Sequence, residues 1–289
     1  MKQGFKFLHE HRYWVLLWLI VVVAGLTTIA LPASWFIQRV EKDAFVDAAN
    51  RSELFARAYA EHAHFIASTV DLAAQQLADD WTPDWRNFNE SSRRIIERMG
   101  NVSVQIGATD ASGMLVVSNL KMQTEKVDLT DRAHIKVHLT GQDTGLYISE
   151  PVKGRVSNKW SIQFSRAIKQ GKDIKGVVVI SVDPFYFTKF YDSLKLEQND
   201  VITMLKKDGS LLARGPLTES AFGTKFPSNP ALDPQTPIGG TFERISQIDG
   251  IDRIYGYYKV TDFGLAVLVG LSKEGVRKSV LSERALVWI

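Results

Sequence analysis

The polar groups best placed to hold a small molecule lie on a set of alternating segments in the middle of the chain. In 160–165, Trp160, Ile162 and Phe164 fall on one side of a strand-like pattern, and Ser161, Gln163 and Ser165 on the other. In 145–149, Leu146 and Ile148 oppose Tyr147 and Ser149, and in 102–107, Val102, Val104 and Ile106 oppose Ser103 and Gln105. Val177–Asp183 alternates less strictly but ends with Ser181 and Asp183 on one face. A sheet of these strands has one apolar face, suited to a long helix, and one face of small polar groups and an acid. Residues 119–144 are too many for an ordinary loop and are expected to cover the polar face. They carry Asp131-Arg132-Ala133-His134. An arginine fork facing Asp183 across a polar floor suits a small zwitterion or carboxylate. The competing reading is a polar face that simply meets solvent. The candidate ligand-binding set is Arg132, His134, Tyr147, Ser149, Trp160, Gln163, Ser165, Ser181 and Asp183.

Catalytic chemistry finds no support. There is no HExxH, GxSxG or P-loop pattern. His62 and His64 stand two apart on a helical segment, so they diverge, which is poor metal geometry. The chain has no cysteine, which removes thiol chemistry, disulfides and cysteine–zinc sites. Net charge is +3 with both signs scattered and no basic stripe interleaved with aromatics, which argues against nucleic acid. No metal or cofactor is expected.

These residues need elements to position them. From Gln38 to about Ala78 there is no glycine or proline, and apolar residues recur at helical spacing, predicting one long helix. Trp81-Thr82-Pro83-Asp84-Trp85 breaks it, and a shorter helix through Met99 follows. From Val102 the period becomes two, with strands expected at 102–108, 113–118, 145–152, 160–168 and 175–183, then 201–206, 210–214, 240–248, 251–260 and 264–272. Pro184–Leu196 reads as an intervening amphipathic helix. The strand series is duplicated: Asp110 corresponds to Asp208 and Gly176 to Gly264, offsets of 98 (208−110) and 88 (264−176). The fold class is therefore α+β, a long N-terminal helix (38–100 with its connecting helix) followed by two tandem modules, 101–198 and 199–273. The links between strands are mostly too short for crossover helices, so the sheets are expected to be antiparallel. Leu265–Leu271 is apolar on both faces, which casts the second module as a structural spacer.

Tyr13–Leu31 is nineteen residues (31−13+1) without charge or proline, and Pro32 closes it. At about 1.5 Å per residue it covers roughly 28 Å, a bilayer's hydrocarbon thickness. Lys2, Lys6 and Arg12 precede it, so residues 1–12 are expected in the cytoplasm, 13–37 as a transmembrane helix and its exit, and 38 to about 284 outside. A cleaved signal peptide is the alternative; its apolar core would be shorter, about 7–15 residues. Residues 274–289 read as a helix leading into a second span that begins at Ala285.

A resemblance rests on Asp131-Arg132-Ala133-His134, Gly145–Val152, Gly154-Arg155, Trp160–Arg166 and Gly176–Asp183 followed by Pro184, continued by Asp208-Gly209, Leu212-Ala213-Arg214 and Pro216. Over about 38–275 the chain resembles the double Cache (tandem PAS-like) sensor domains of bacterial receptors, most closely those fused to GGDEF diguanylate cyclases or histidine kinases. The resemblance implies two PAS-like modules and a periplasmic location on the inner membrane. It further implies homodimeric signalling and a small-molecule ligand (organic acid, amine or amino-acid-like) in the membrane-distal first module. Arg132 matches the family's ligand-carboxylate arginine and Asp183 its ligand-amine aspartate. Val127 stands where the amino-acid-binding pattern has tyrosine, and His134-Ile135 where it has a tryptophan–tyrosine pair. The output domain is expected beyond Ile289. Gly239-Gly240-Thr241-Phe242-Glu243 has the outline of a cyclase signature but lacks its acidic pair. The alternative function is an interaction module that senses a partner protein and binds no small molecule.

Overall fold

The alternation of period two becomes two antiparallel sheets, and the long helical pattern becomes the helix beside them. A computed structural model describes residues 2–100, 103–120, 127–141, 145–189, 194, 196–216 and 219–287. The elements are α1 (Lys2–Asp79), α2 (Arg86–Met99), β1 (Ser103–Asp110), β2 (Met114–Ser118), β3 (Val127–Asp128), α3 (Ala133–Leu139), β4 (Tyr147–Lys153), β5 (Trp160–Gln170), β6 (Asp173–Val182), α4 (Pro184–Thr188), β7 (Val201–Lys206), β8 (Leu211–Gly215), β9 (Gly239–Ile245), β10 (Asp252–Val260), β11 (Leu265–Ser272) and α5 (Lys273–Val287). Two compact units divide the chain, Met1–Ala48 with Val276–Ile289, and Ala49–Gly275.

In the first unit, α1 carries the apolar stretch expected from the sequence; among the described residues one helix is long and apolar enough to cross a membrane. The helix continues through Pro32 instead of ending there. One proline removes one backbone hydrogen bond and kinks a long helix more readily than it stops it. Arg277 pairs with Glu41 at 2.6 Å and lies over the Phe45 ring. The expected onset of a second span falls on the end of α5 and on residues 288–289, which lie outside the described residues.

In the second unit, the first sheet has the order β3-β2-β1-β6-β5-β4 and the second β8-β7-β11-β10-β9. Apart from the two-residue edge strand β3, the orders superpose strand for strand, β1 on β7, β6 on β11 and β5 on β10. This is the duplication visible in the sequence. Each sheet turns one face to α1. In the first sheet Arg166, on the face of Ile162 and Phe164, makes a bidentate pair with Asp71 of α1 at 2.5 and 3.0 Å. In the second sheet Gly256 of β10 lets the strand meet the helix backbone: a Cβ there would lie 2.1 Å from the Ser52 carbonyl carbon. Trp85, at φ 57°, ends the break after α1, and Asp84 accepts from the Arg86 amide to start α2.

Segment 119–144 holds two elements that the alternation did not predict, β3 and α3. α3 lies on the sheet face away from α1, where Ile135 packs with Val177 and Val179. Under α3 that face is mostly apolar, with Ser165 as a polar exception, and it becomes more polar beyond the helix. The predicted helix 184–196 is described only as α4, since residues 190–193 and 195 lie outside the described set.

Candidate functional site

The polar part of that face forms the floor of a cavity of about 50 Å³. Gln105, Gln163 and Ser181 are adjacent on β1, β5 and β6, because register places Ser181 opposite both glutamines. Ser181 donates to the Gln163 side-chain carbonyl at 2.6 Å, and the Gln163 amide donates to Ser161 at 2.8 Å. Gln105 donates to Ser118 at 2.9 Å. Arg132, at the N-cap of α3, and His134 line the cavity, as does the Gly154-Arg155-Val156 turn, which is tied to the segment before α3 through Arg155 and Asp131. Leu115, Leu129, Val152 and Val179 supply the apolar surface.

The charges within this cavity are uneven. Arg155 is neutralised by a two-pronged pair with Asp131 at 2.9 and 2.6 Å, and it also donates to the Asp128 carbonyl. Those bonds from Arg155 hold the Asp131 carboxyl below its ordinary range. Arg132 donates only to the Lys153 carbonyl, at 3.3 Å, and pairs with no carboxylate among the described residues. With Lys153, which also lines the cavity, it is a cation placed to meet an incoming anion. His134 is 6 % exposed, and burial, reinforced by the charge of Arg132, pulls its pKa to about 4, so the ring is neutral at pH 7. The site offers one available guanidinium, a neutral imidazole and amide and hydroxyl groups in a mostly apolar shell. That combination has the donors to suit a small carboxylate or similar anion, and the described residues lining it assemble no nucleophile–base pair. No group of three or more metal-binding side chains occurs among the described residues.

Of the nine residues expected from the sequence, the fold brings Arg132, His134, Gln163 and Ser181 to the cavity. Ser165 lies one rung further, beneath α3: it donates to the His134 carbonyl at 2.8 Å and meets His138 Nε2 at 3.0 Å. With its proton committed to the carbonyl, Ser165 must accept from His138, which fixes the proton on Nε2. Ser149 sits in a bulge of β4, where its hydroxyl accepts from the Gln163 amide and donates to the Glu150 carbonyl. Tyr147 and Trp160 face the second module, Tyr147 under the Lys206 ammonium and Trp160 against Phe222. Asp183 caps α4 by accepting from the Phe185 amide at 2.9 Å and does not line the cavity. Arg155, Gln105 and Val156 line it without having been singled out; the Gly154-Arg155 turn was the available signal.

Comparison with known proteins agrees with this architecture. Residues 184–270, from α4 into β11, match the family model for a dCache-like histidine kinase sensor domain. No protein of curated function matches the chain. Among solved structures, the chain is similar to the extracellular domain assigned to a histidine kinase, rpHK1S-Z16, with 24% identity, 78% of this chain and 95% of that one covered, and a TM-score of 0.68. It is also similar to the periplasmic sensory domain of the Campylobacter jejuni chemoreceptor Tlp1 (14%, 81% and 98%, TM-score 0.62). A third is the ligand-binding domain of the Pseudomonas aeruginosa PAO1 amino acid chemoreceptor PctB in complex with L-Arg (14%, 80% and 90%, TM-score 0.61). The helix and the two superposable sheets are those of these domains, and the chain has the double Cache fold of extracytoplasmic sensor domains.

Proposed function

We propose that the chain is the extracytoplasmic ligand-sensing region of a membrane-anchored bacterial receptor, with residues 38 to about 284 in the periplasm. Its first module takes a small organic carboxylate, and binding is coupled to a cytoplasmic output, a diguanylate cyclase or a histidine kinase. The observation that carries this reading is Arg132, a guanidinium without a carboxylate partner among the described residues, on the wall of a cavity that Lys153 and the Asp131-paired Arg155 also line. Asp183 is engaged by the Phe185 amide, which favours a simple organic acid over an amino acid whose ammonium would need that carboxylate. PctB, with L-Arg in its structure, places an amino acid on the same fold, so amino acids belong in any screen.

The receptor would act as a homodimer. Leu54, Phe65 and Leu72 on α1 are 63, 69 and 66% exposed, and their spacings of 11 and 7 put them on one helix face. An apolar stripe of this kind suits a second copy of the helix.

Thermal-shift screening of the full chain in detergent against organic acids, amines and amino acids tests the reading. A stabilising carboxylate whose effect disappears in Arg132→Ala supports it. Absence of any hit, together with one dominant heteromeric crosslink in membranes, would favour the partner-sensing alternative.

A further inference from the structure

The second module also contains a cavity, of about 50 Å³, on the equivalent face of its sheet, opposite α1. Registers put Thr203 of β7, Arg214 of β8, Tyr255 of β10, Leu268 of β11 and Phe242 and Arg244 of β9 on this one face. Arg214 is 4% exposed, yet it borders the cavity. It donates to Asp249 at 2.6 Å and to Thr203 at 3.4 Å. A guanidinium has five N–H donors, so these two bonds leave the buried group well short of saturation. Asp249 is itself shared, because Arg253, 1% exposed, forks onto it at 2.8 and 2.9 Å. One carboxylate thus serves two buried guanidinium groups. Arg244 adds a third, bonded to the Ser228 carbonyl and lying over the Phe242 ring, with no carboxylate partner among the described residues. The rest of the lining is apolar on one side, where Leu205, Leu268 and Tyr255 belong to the module's core and Phe226, Phe242 and Ile248 pack at its edge, and polar where Asn229, Ser246 and Gln247 complete it.

Asp249 and the buried Asp200 balance Arg214 and Arg253, which leaves the half-buried Arg244 without a carboxylate partner among the described residues beside Arg214, and an anion in the pocket would meet both guanidinium groups. A single negative charge with a planar head matches the arginine forks, and the aromatic and aliphatic wall calls for an apolar tail. A water occupies about 10–15 Å³ on this measure of cavity space, so the enclosed part holds roughly four heavy atoms. We propose that the second module is a separate binding site for a short-chain aliphatic monocarboxylate, held by Arg214 and Arg244 with its tail against Tyr255 and Leu268. The module is then a second sensor input and not the spacer that the apolar closing strand suggested.

The test uses propionate as probe and propionamide as its neutral isostere. Saturation-transfer NMR on the full chain in detergent is run in an Arg132→Gln background, so that binding in the first module does not contribute. Saturable propionate binding is expected, with propionamide at least roughly tenfold weaker, the scale of one charge-assisted bond. Adding Arg244→Gln should weaken propionate by a similar factor. Arg214→Lys, which keeps a cation for Asp249 but loses the fork, should do the same. Circular dichroism and melting identify any variant that fails to fold, and Arg244→Gln, at a half-buried rim position, then decides. No saturable signal at millimolar propionate, equal binding of propionamide, or indifference to Arg244→Gln would overturn the proposal.

Discussion

Acidification should loosen the helix that roofs the first cavity, by an amount set by two histidines. His134 and His138 sit on α3, and burial pulls both pKa values to about 4 from an ordinary 6.5. Arg132 reinforces this at His134; Arg166 and Lys169 do so at His138, where the Ser165 bond acts in the opposite direction. Between pH 6.5 and 4 the unfolded chain therefore binds more protons than the folded one, and stability falls as pH falls. It is fully present above 6.5 and the loss is complete below 4. At pH 5 the difference comes to about 2 kcal/mol per histidine, or about 4 kcal/mol for both, a large share of a typical domain's stability. The carboxyls of Asp131, Glu150 and Asp249 are held below their usual range and contribute their own losses nearer pH 4. Burial raises Asp200, which opposes the trend, but it is common to every variant compared. The assay is urea denaturation of the full chain in detergent from pH 7.5 to 5, for wild type, His138→Gln and His134→Gln/His138→Gln. The single change should remove about half of the pH dependence and the double change most of it. An unchanged slope in the double variant would refute the reasoning, whatever its absolute stability.

Two further outcomes follow from packing. Gly256→Ala puts a methyl 2.1 Å from the Ser52 carbonyl carbon and 2.2 Å from the Glu53 amide nitrogen, so helix or strand must move. A destabilisation of about 1–3 kcal/mol is expected, read as a melting-temperature drop of several degrees, and a wild-type melt would contradict the close approach. Because the chain has no cysteine, Phe65→Cys introduces a single thiol on the exposed stripe of α1. Oxidative crosslinking in membranes should give a homodimer band, whereas Glu90→Cys on α2 should not.

Much of this fold was legible because its strands either alternate, as in β5, or run as short apolar stretches between turn residues, as in β11. β5 and β7 start where the pattern starts, and the tandem order of the sheets follows the repeated acidic turns at Asp110 and Asp208. α3 was hidden: Ile135, Val137 and Leu139 stand at i, i+2 and i+4, which reads as a strand, and only packing of Ile135 on Val177 and Val179 makes a helix of it. The site was partly legible. Arg132, His134, Gln163 and Ser181 reach the cavity through alternation and register, which a sequence displays. Tyr147 falls on the polar side of its strand and Trp160 on the apolar side of its own, but their partners Lys206 and Phe222 lie in the other module, and no local pattern records that. Asp183 precedes proline at a helix start, a capping signal that competes directly with a ligand role. The second cavity draws its arginines from β8 and β9, which are not adjacent in the sheet, so it exists only once the sheet has formed.

In the proposed function, Arg132 is the anion-recognising group of the first cavity. Isothermal titration of the strongest stabilising carboxylate into the full chain tests it most directly, comparing wild type with Arg132→Ala and Arg132→Lys. A buried charge-assisted fork contributes about 1.5–3 kcal/mol, so affinity should fall by roughly 10- to 150-fold in Arg132→Ala, with Arg132→Lys intermediate. Equal affinity in all three proteins, with the fold intact, would contradict the account.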